Sequence, residues 1–399
     1  MPRLSLPQDY IKNQGNLIED FETLSEWSTT GAVAISSDTN HFKTGTQSIC
    51  FTHTSASWGA MTKTISRSFL GTRFFHVWVY IPTYQDRDGI VQVVLRLSSV
   101  SNFSKYMQML WSGLSNLSIG WNCLGCHRDD FTNTGGESWA NTMIRMRFEL
   151  VRQTGAAPQL SFDSFYIDME TLPRCVIMFD DGYSSTYNVA YNYMQPRGLK
   201  GTVYMISDWI GTSGKLTQEN LNTMYNAGWA IANHTSDHSN LSLLTQEQVQ
   251  EKLIACRDAL NTLGFTRSSR HVAYPYGAYS SEALAAMSAC GMLTGRDTAS
   301  TYNFPPVEDL HLLHVKSCQA SVSLSTAKQW IDYTLKSGST LCLLFHDLVE
   351  SPSGVNWAIS DFQALIDYII ARRLKCVTID EWYEGLTNPR YRSVPLDRG

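Results

Sequence analysis

The chain has 399 residues, more than one domain commonly holds, so two domains are expected. Hydrophobic residues at 43% against 17% charged describe an ordered globular protein, and a net charge of -5 without a basic run leaves no electrostatic footprint for nucleic acid. No apolar stretch approaches the roughly 18 residues that cross a bilayer, which argues against a membrane protein.

Met1 to Gly15 lacks an apolar segment of secretory type, so no signal peptide is read there. From residue 17 to about 169 the pattern is extended. Phe75–Tyr80, Val91–Leu97 and Arg145–Leu150 are β-branched or alternating, and turn-forming clusters such as Asp86–Gly89 and Asn133–Gly136 divide such runs. No helical period persists, so residues 1–169 are expected to form an all-β sandwich. Trp58, Trp78, Trp111 and Trp139 offer a platform for stacking sugars, although each alone is more commonly a core residue. Cys123-Leu124-Gly125-Cys126-His127 has the spacing of c-type haem attachment but stands isolated, so a loop with two thiols, or a local disulfide, is expected. Cys175, Cys342 and Cys376 sit in apolar runs that suit buried thiols, and nine cysteines is an odd count, so no disulfide framework is expected.

From Arg174 onward strand patterns alternate with helical ones. Val176–Phe179, Gly201–Ile206, Trp229–Asn233, His271–Tyr274, Leu310–Val315, Leu341–His346 and Cys376–Ile379 read as strands. Tyr183–Met194, a segment opened by the Thr245–Gln248 capping box, Ala283–Cys290, Ser325–Leu335 and Phe362–Arg372 read as helices. Such repetition implies a parallel sheet, open or closed into a barrel.

Four polar clusters fall at the ends of these strands, where parallel barrels carry their chemistry: Asp180-Asp181-Gly182, His234 to His238, Tyr274-Pro275-Tyr276-Gly277, and Leu344-Phe345-His346-Asp347. Adjacent carboxylates repel unless a cation intervenes, so one aspartate suits a divalent metal and the other stays free to accept a proton. His234 and His238, four apart, face one way if the segment turns helically. One carboxylate and two imidazoles leave coordination positions open, as a catalytic zinc site requires. A non-haem iron triad uses the same residue types, but in another order and on a β scaffold.

These motifs make residues 174–385 resemble the polysaccharide deacetylases of NodB-homology type (carbohydrate esterase family 4). The resemblance implies a distorted (β/α) barrel after the jelly-roll sandwich, with Zn2+ or another divalent transition metal on Asp181, His234 and His238. It implies Asp180 as base, His346 as acid, the backbone N–H of Tyr276 at the oxyanion, and Leu344, Tyr274, Pro275 and Tyr276 against substrate. The third motif carries Ala273 where family members commonly have an arginine, a departure shared with poly-N-acetylglucosamine deacetylases of biofilms. Arg296, on the neighbouring strand, is a candidate replacement; a substrate contact or a surface position are the alternatives. The family's tryptophan-bearing fourth motif is not recognisable.

The first half resembles jelly-roll carbohydrate-binding modules through Ile18–Glu22, Trp27, Lys43–Ser48 and Phe162–Asp168. Together the resemblances imply a carbohydrate-binding-like domain at 1–169 and a deacetylase domain at 170–399, acting on an acetylated bacterial polysaccharide, N-acetyl before O-acetyl. Its polymer lies outside the cytoplasm, so an extracellular or virion-associated site of action is expected, as for a phage tail component or a secreted protein whose signal has been removed. Homo-oligomer and virion assembly both stay open. A glycan-binding adhesin on a deacetylase scaffold is the competing reading.

Overall fold

A computed structural model describes residues 11–54, 58–112, 117, 119–304 and 309–387. The reading of Met1 to Gly15 and the outer ends of the two expected domains fall partly on residues 1–10 and 388–399, outside the described residues. The chain divides into two compact units, Ile11–Glu170 and a second beginning at Thr171.

The first unit is built from two antiparallel six-stranded sheets. One runs Val33–Asp38, Ser48–His53, Gln159–Thr171, Phe74–Ile81, Gly120–His127, with Ile11–Glu19 also on Gln159–Thr171. The other runs Thr132–Thr134, Tyr106–Ser112, Ile90–Ser98, Thr142–Arg152, Trp58–Ser68, Trp27–Gly31. Alternation makes the core: Met146, Phe148 and Leu150 are fully buried in it, while Arg145 and Arg147 between them reach Thr64 and Thr62 on the other face. Phe21, Trp27, Phe148 and Phe162 form one ring cluster in that core.

Three expectations for this half need correction. Trp78 and Trp111 are buried and Trp139 packs on Phe75 and Phe131, so of the four tryptophans only Trp58 is exposed, at 42%. Cys123 and Cys126 lie in a strand rather than a loop; three apart, they point to opposite faces and cannot bridge locally, and none of the nine cysteines forms a disulfide. A six-residue helix, Tyr84–Gly89, interrupts the all-β pattern, capped by Thr83.

The second unit is a parallel barrel. Its strands, in chain order, are β1 (Arg174–Phe179), β2 (Thr202–Met205), β3 (Ala230–Asn233), β4 (His271–Ala273), β5 (Thr294–Ser300), β6 (Leu313–Ser317), β7 (Thr340–Phe345) and β8 (Cys376–Val377). Neighbours pair from β2 through β7, β7 pairs β1, and β1 returns to β2, which closes a seven-stranded ring. The ring is distorted at one seam. The start of β1, at Cys175 and Val176, pairs with β8, whereas its end, at Met178 and Phe179, pairs with β2.

Helices including Gln218–Asn226, Gln246–Thr262, Leu324–Ser337 and Ile359–Ala371 follow the strands, and their apolar faces meet the barrel in one core around Phe179, Trp229, Phe345 and Phe362. The Thr245 capping box forms as expected. Tyr183–Met194 is not one regular helix: Thr186–Tyr191 is wound as π-helix before a short α turn at Asn192–Met194. The expected strand Leu310–Val315 lies later, at Leu313–Ser317, and Ile379–Thr387 is helical where the strand reading extended to Ile379.

Candidate active site

The ladder brings the four clusters to one end of the barrel. Asp180 N–H bonds to Phe345 O at 2.9 Å, His234 N–H to Met205 O at 3.0 Å, and Tyr274 N–H to Arg296 O at 3.0 Å. Each motif therefore starts from a backbone position fixed by the adjacent strand.

Asp181, His234 and His238 converge, their ligating atoms all lying within 4.8 Å of one another. Both Nε2 atoms lie 3.4 Å from Asp181 Oδ1. The histidines do not converge by a helical turn. Thr235 and His238 have left-handed φ of 66° and 65°, and polar side chains hold the loop in that path. Asn233 accepts from Thr235 N–H at 2.8 Å and donates to Leu253 O at 2.9 Å, and Thr235 Oγ1 accepts from His238 N–H at 3.0 Å. His234 places Nδ1 2.8 Å from Ala273 O, which turns Nε2 toward Asp181.

These residues fit a metal. Asp181 Oδ1 is buried and makes no hydrogen bond, a costly arrangement unless a cation takes it up. Burial pushes the Asp181 carboxyl up, but the His234 contact and the imidazole charges around it prevail and hold it at about 2. Burial, then His234, pushes His238 below its usual value. Carboxylate and neutral imidazole are the forms that carry lone pairs for a metal.

Asp180 sits beside this set, its Oδ2 3.7 Å from His234 Nε2, and its Oδ1 is paired with Arg296 Nη2. Arg296 has no exposed surface, stacks 4.9 Å from the centroid of Tyr204, and lies behind Asp180 rather than in the cleft. The neighbouring Asp297 is engaged by His314 at 3.0 Å and does not compete for it.

A cleft of about 550 Å³ opens over these groups, lined by Asp180, Asp181, His234, His238, Tyr274, Tyr276, Leu344 and His346. Pro275 is not in its lining; it is buried at the first position of the turn Pro275–Gly277, where its fixed φ suits the bend. Tyr274 is buried, its hydroxyl bonded to His311 O at 2.8 Å, so it forms floor rather than rim. Tyr276, with φ 61° and 67% exposure, stands at the rim 4.6 Å from the His238 ring.

The cleft also holds Thr298, Ser300, Ser317, Gln319, Val322, Trp330 and Val355, which sequence reasoning did not select. Ser317 ends β6 and Ser300 ends β5, so the strand-end rule that found the motifs was the available signal for them. Trp330 lies inside the helix Leu324–Ser337, and no local pattern marks it.

Residues 170–295 match the family model for polysaccharide deacetylase. A putative polysaccharide deacetylase of Bacillus subtilis, YxkH, is 33% identical over 132 residues, 33% of this chain and 47% of that protein. A probable peptidoglycan-N-acetylglucosamine deacetylase of Arthroderma benhamiae is 26% identical over 223 residues, 55% of this chain and 46% of its own. The chain thus spans about half the length of the curated relatives it matches. A putative polysaccharide deacetylase from Mycobacterium smegmatis superposes with a TM-score of 0.42 at 12% identity, covering 57% of this chain and 96% of that one.

Proposed function

We propose that the second unit, whose residues 170–295 match the polysaccharide deacetylase family model, hydrolyses acetyl groups, N-acetyl before O-acetyl, from a bacterial surface or extracellular polysaccharide. The observation that carries this reading is the buried, unpartnered Asp181 Oδ1 between two imidazoles, beside a second carboxylate in an ion pair.

Asp181, His234 and His238 would hold a divalent ion, with zinc the natural choice for one oxygen and two nitrogen donors. Such an ion supplies Lewis acidity and makes water easier to deprotonate. Asp180 takes the proton of the attacking water, and Arg296 fixes the direction in which its carboxylate points. His346, across the cleft on the loop after β7, gives a proton to the departing nitrogen, which leaves poorly without one. The Tyr276 backbone N–H serves the oxyanion, and Leu344 lines the space for the acetyl methyl.

The first unit is assigned to holding polymer, with the exposed Trp58 as its candidate contact. The site of action is then extracellular or on a virion; among the described residues no helix is long and apolar enough to cross a membrane.

Acetate release from acetylated glycans, with and without chelator, tests the reading. Asp180→Asn should retain bound metal and lose at least about a hundredfold in turnover, the usual scale of a general base. Turnover near the unmodified level in that variant would overturn the assignment of Asp180.

A further inference from the structure

Two lysines beside the cleft take no part in the mechanism, and both are held unusually. Lys215 Nζ lies 3.5 Å from the ring centroid of Tyr183 and 4.5 Å from that of Trp209. Lys316 Nζ lies 4.7 Å from Tyr302 and 5.7 Å from Trp330, and donates to Ser300 O at 2.8 Å. Each ammonium is thus caged by two aromatic faces. Burial pushes both below the usual lysine value.

Neither has a carboxylate within ion-pair distance among the described residues. Lys215 senses Asp181 and Asp347 only at longer range, and Lys316 senses no charged group. Lys63, Lys200 and Lys252, by contrast, each touch a carboxylate. Acidic residues are plentiful in a chain of net charge -5, and what sets these two ammoniums apart is that each is part-buried between two rings with no carboxylate at ion-pair distance. A half-buried charge without a counter-ion is unfavourable, and cation–π contact offsets that only in part.

Neither lysine is in the cleft lining, but each borders it through its neighbours. Tyr183 follows Asp181 by two residues, and the Trp209 ring is 5.6 Å from His238, which places Lys215 by the loops after β1 and β2. Ser300, Ser317 and Trp330 line the cleft, which places Lys316 by the ends of β5 and β6. Around the ring these positions are separated by β7 with His346 on one side and by β3 and β4 on the other. The cleft's own carboxylates do not oppose them: Asp180 is neutralised by Arg296, and Asp181 faces the imidazoles.

We propose that the polysaccharide is anionic, an acetylated sugar flanked by residues bearing carboxylates of the uronate class, with Lys215 and Lys316 receiving those charges on either side of the reacting acetyl group. This deepens the deacetylase reading and rests on it. The rings limit the lysines' rotamers and offer faces to the same sugars.

The test uses the full chain carrying Asp180→Asn, titrated with a hyaluronan hexasaccharide and a chitin hexasaccharide, which share N-acetylglucosamine and differ in uronate. The expected result is at least tenfold tighter binding of the charged oligosaccharide at low salt, narrowing as salt is raised. Added Lys215→Gln or Lys316→Gln should each reduce that preference about fivefold, and Lys316→Arg should keep most of it. Equal affinities, binding of neither probe, or equal losses on both, the mark of a structural role, would overturn the inference. Acetate release by the unsubstituted chain is scored separately. Its absence from every glycan defeats the deacetylase reading, whereas the titration reports charge preference without turnover.

Discussion

Arg296 and Asp180 each lose their hydration in the barrel interior, and each is the other's main compensation. Arg296→Met should therefore leave a buried carboxylate unpaired, costing about 3–5 kcal/mol in urea unfolding and a hundredfold or more in acetate release. Full activity in that variant would mean that Asp180 needs no tether. Arg296 illustrates what one residue's surroundings hide from sequence. Asp180, Asp181, His234, His238 and His346 were legible because each sits in a short local pattern at a strand end. Arg296 was legible only as one of several options, because its partner lies 116 residues away. Trp330 was not legible at all: a tryptophan within an amphipathic helix looks the same whether it faces a core or a cleft.

At the scale of the element, strain gathers where the chemistry is proposed. Of nine described non-glycine residues with positive φ, four are Asp181, Thr235, His238 and Tyr276. The loop after β1 adds Gly182, whose φ is 62° and whose missing Cβ would collide with Met205 Sδ. Gly182→Ala should cost about 1–3 kcal/mol by overpacking and weaken metal retention by shifting Asp181. Adding Met205→Ala should restore part of the metal content, measured after dialysis, and no restoration would assign the effect to backbone strain alone. Strand periodicity located most barrel strands to within a few residues, since each is a short apolar run. The His-x3-His spacing suggested a helical turn, but side-chain bonds from Asn233 and Thr235 set a different path. Local hydrogen bonding of this kind outweighs spacing and is not encoded in period.

Across the whole molecule, each unit has its own core, and each buries a histidine outside the proposed site, His76 in the sandwich and His271 in the barrel. Burial holds His76 of the sandwich down at about 4, and burial with Arg270 nearby holds His271 of the barrel down at about 3. Once unfolded, either imidazole titrates near 6.5. Below that value the unfolded chain binds a proton that the folded one refuses, so stability falls from about pH 6.5 toward each folded value and is unaffected above. Between pH 7 and pH 5 each histidine should cost about 2 kcal/mol. His271→Gln should remove about that much of the pH dependence of barrel unfolding, and an unchanged dependence would contradict it. The seam of the barrel bears on how the protein is made. Because β1 is bridged at one half by β2 and at the other by β8, the first strand of the barrel waits for the last, Cys175 for Cys376. Completing this seam is therefore a step of high contact order, and until residues 376 and 377 are in place the start of β1 exposes an open strand edge that invites assistance or misassembly.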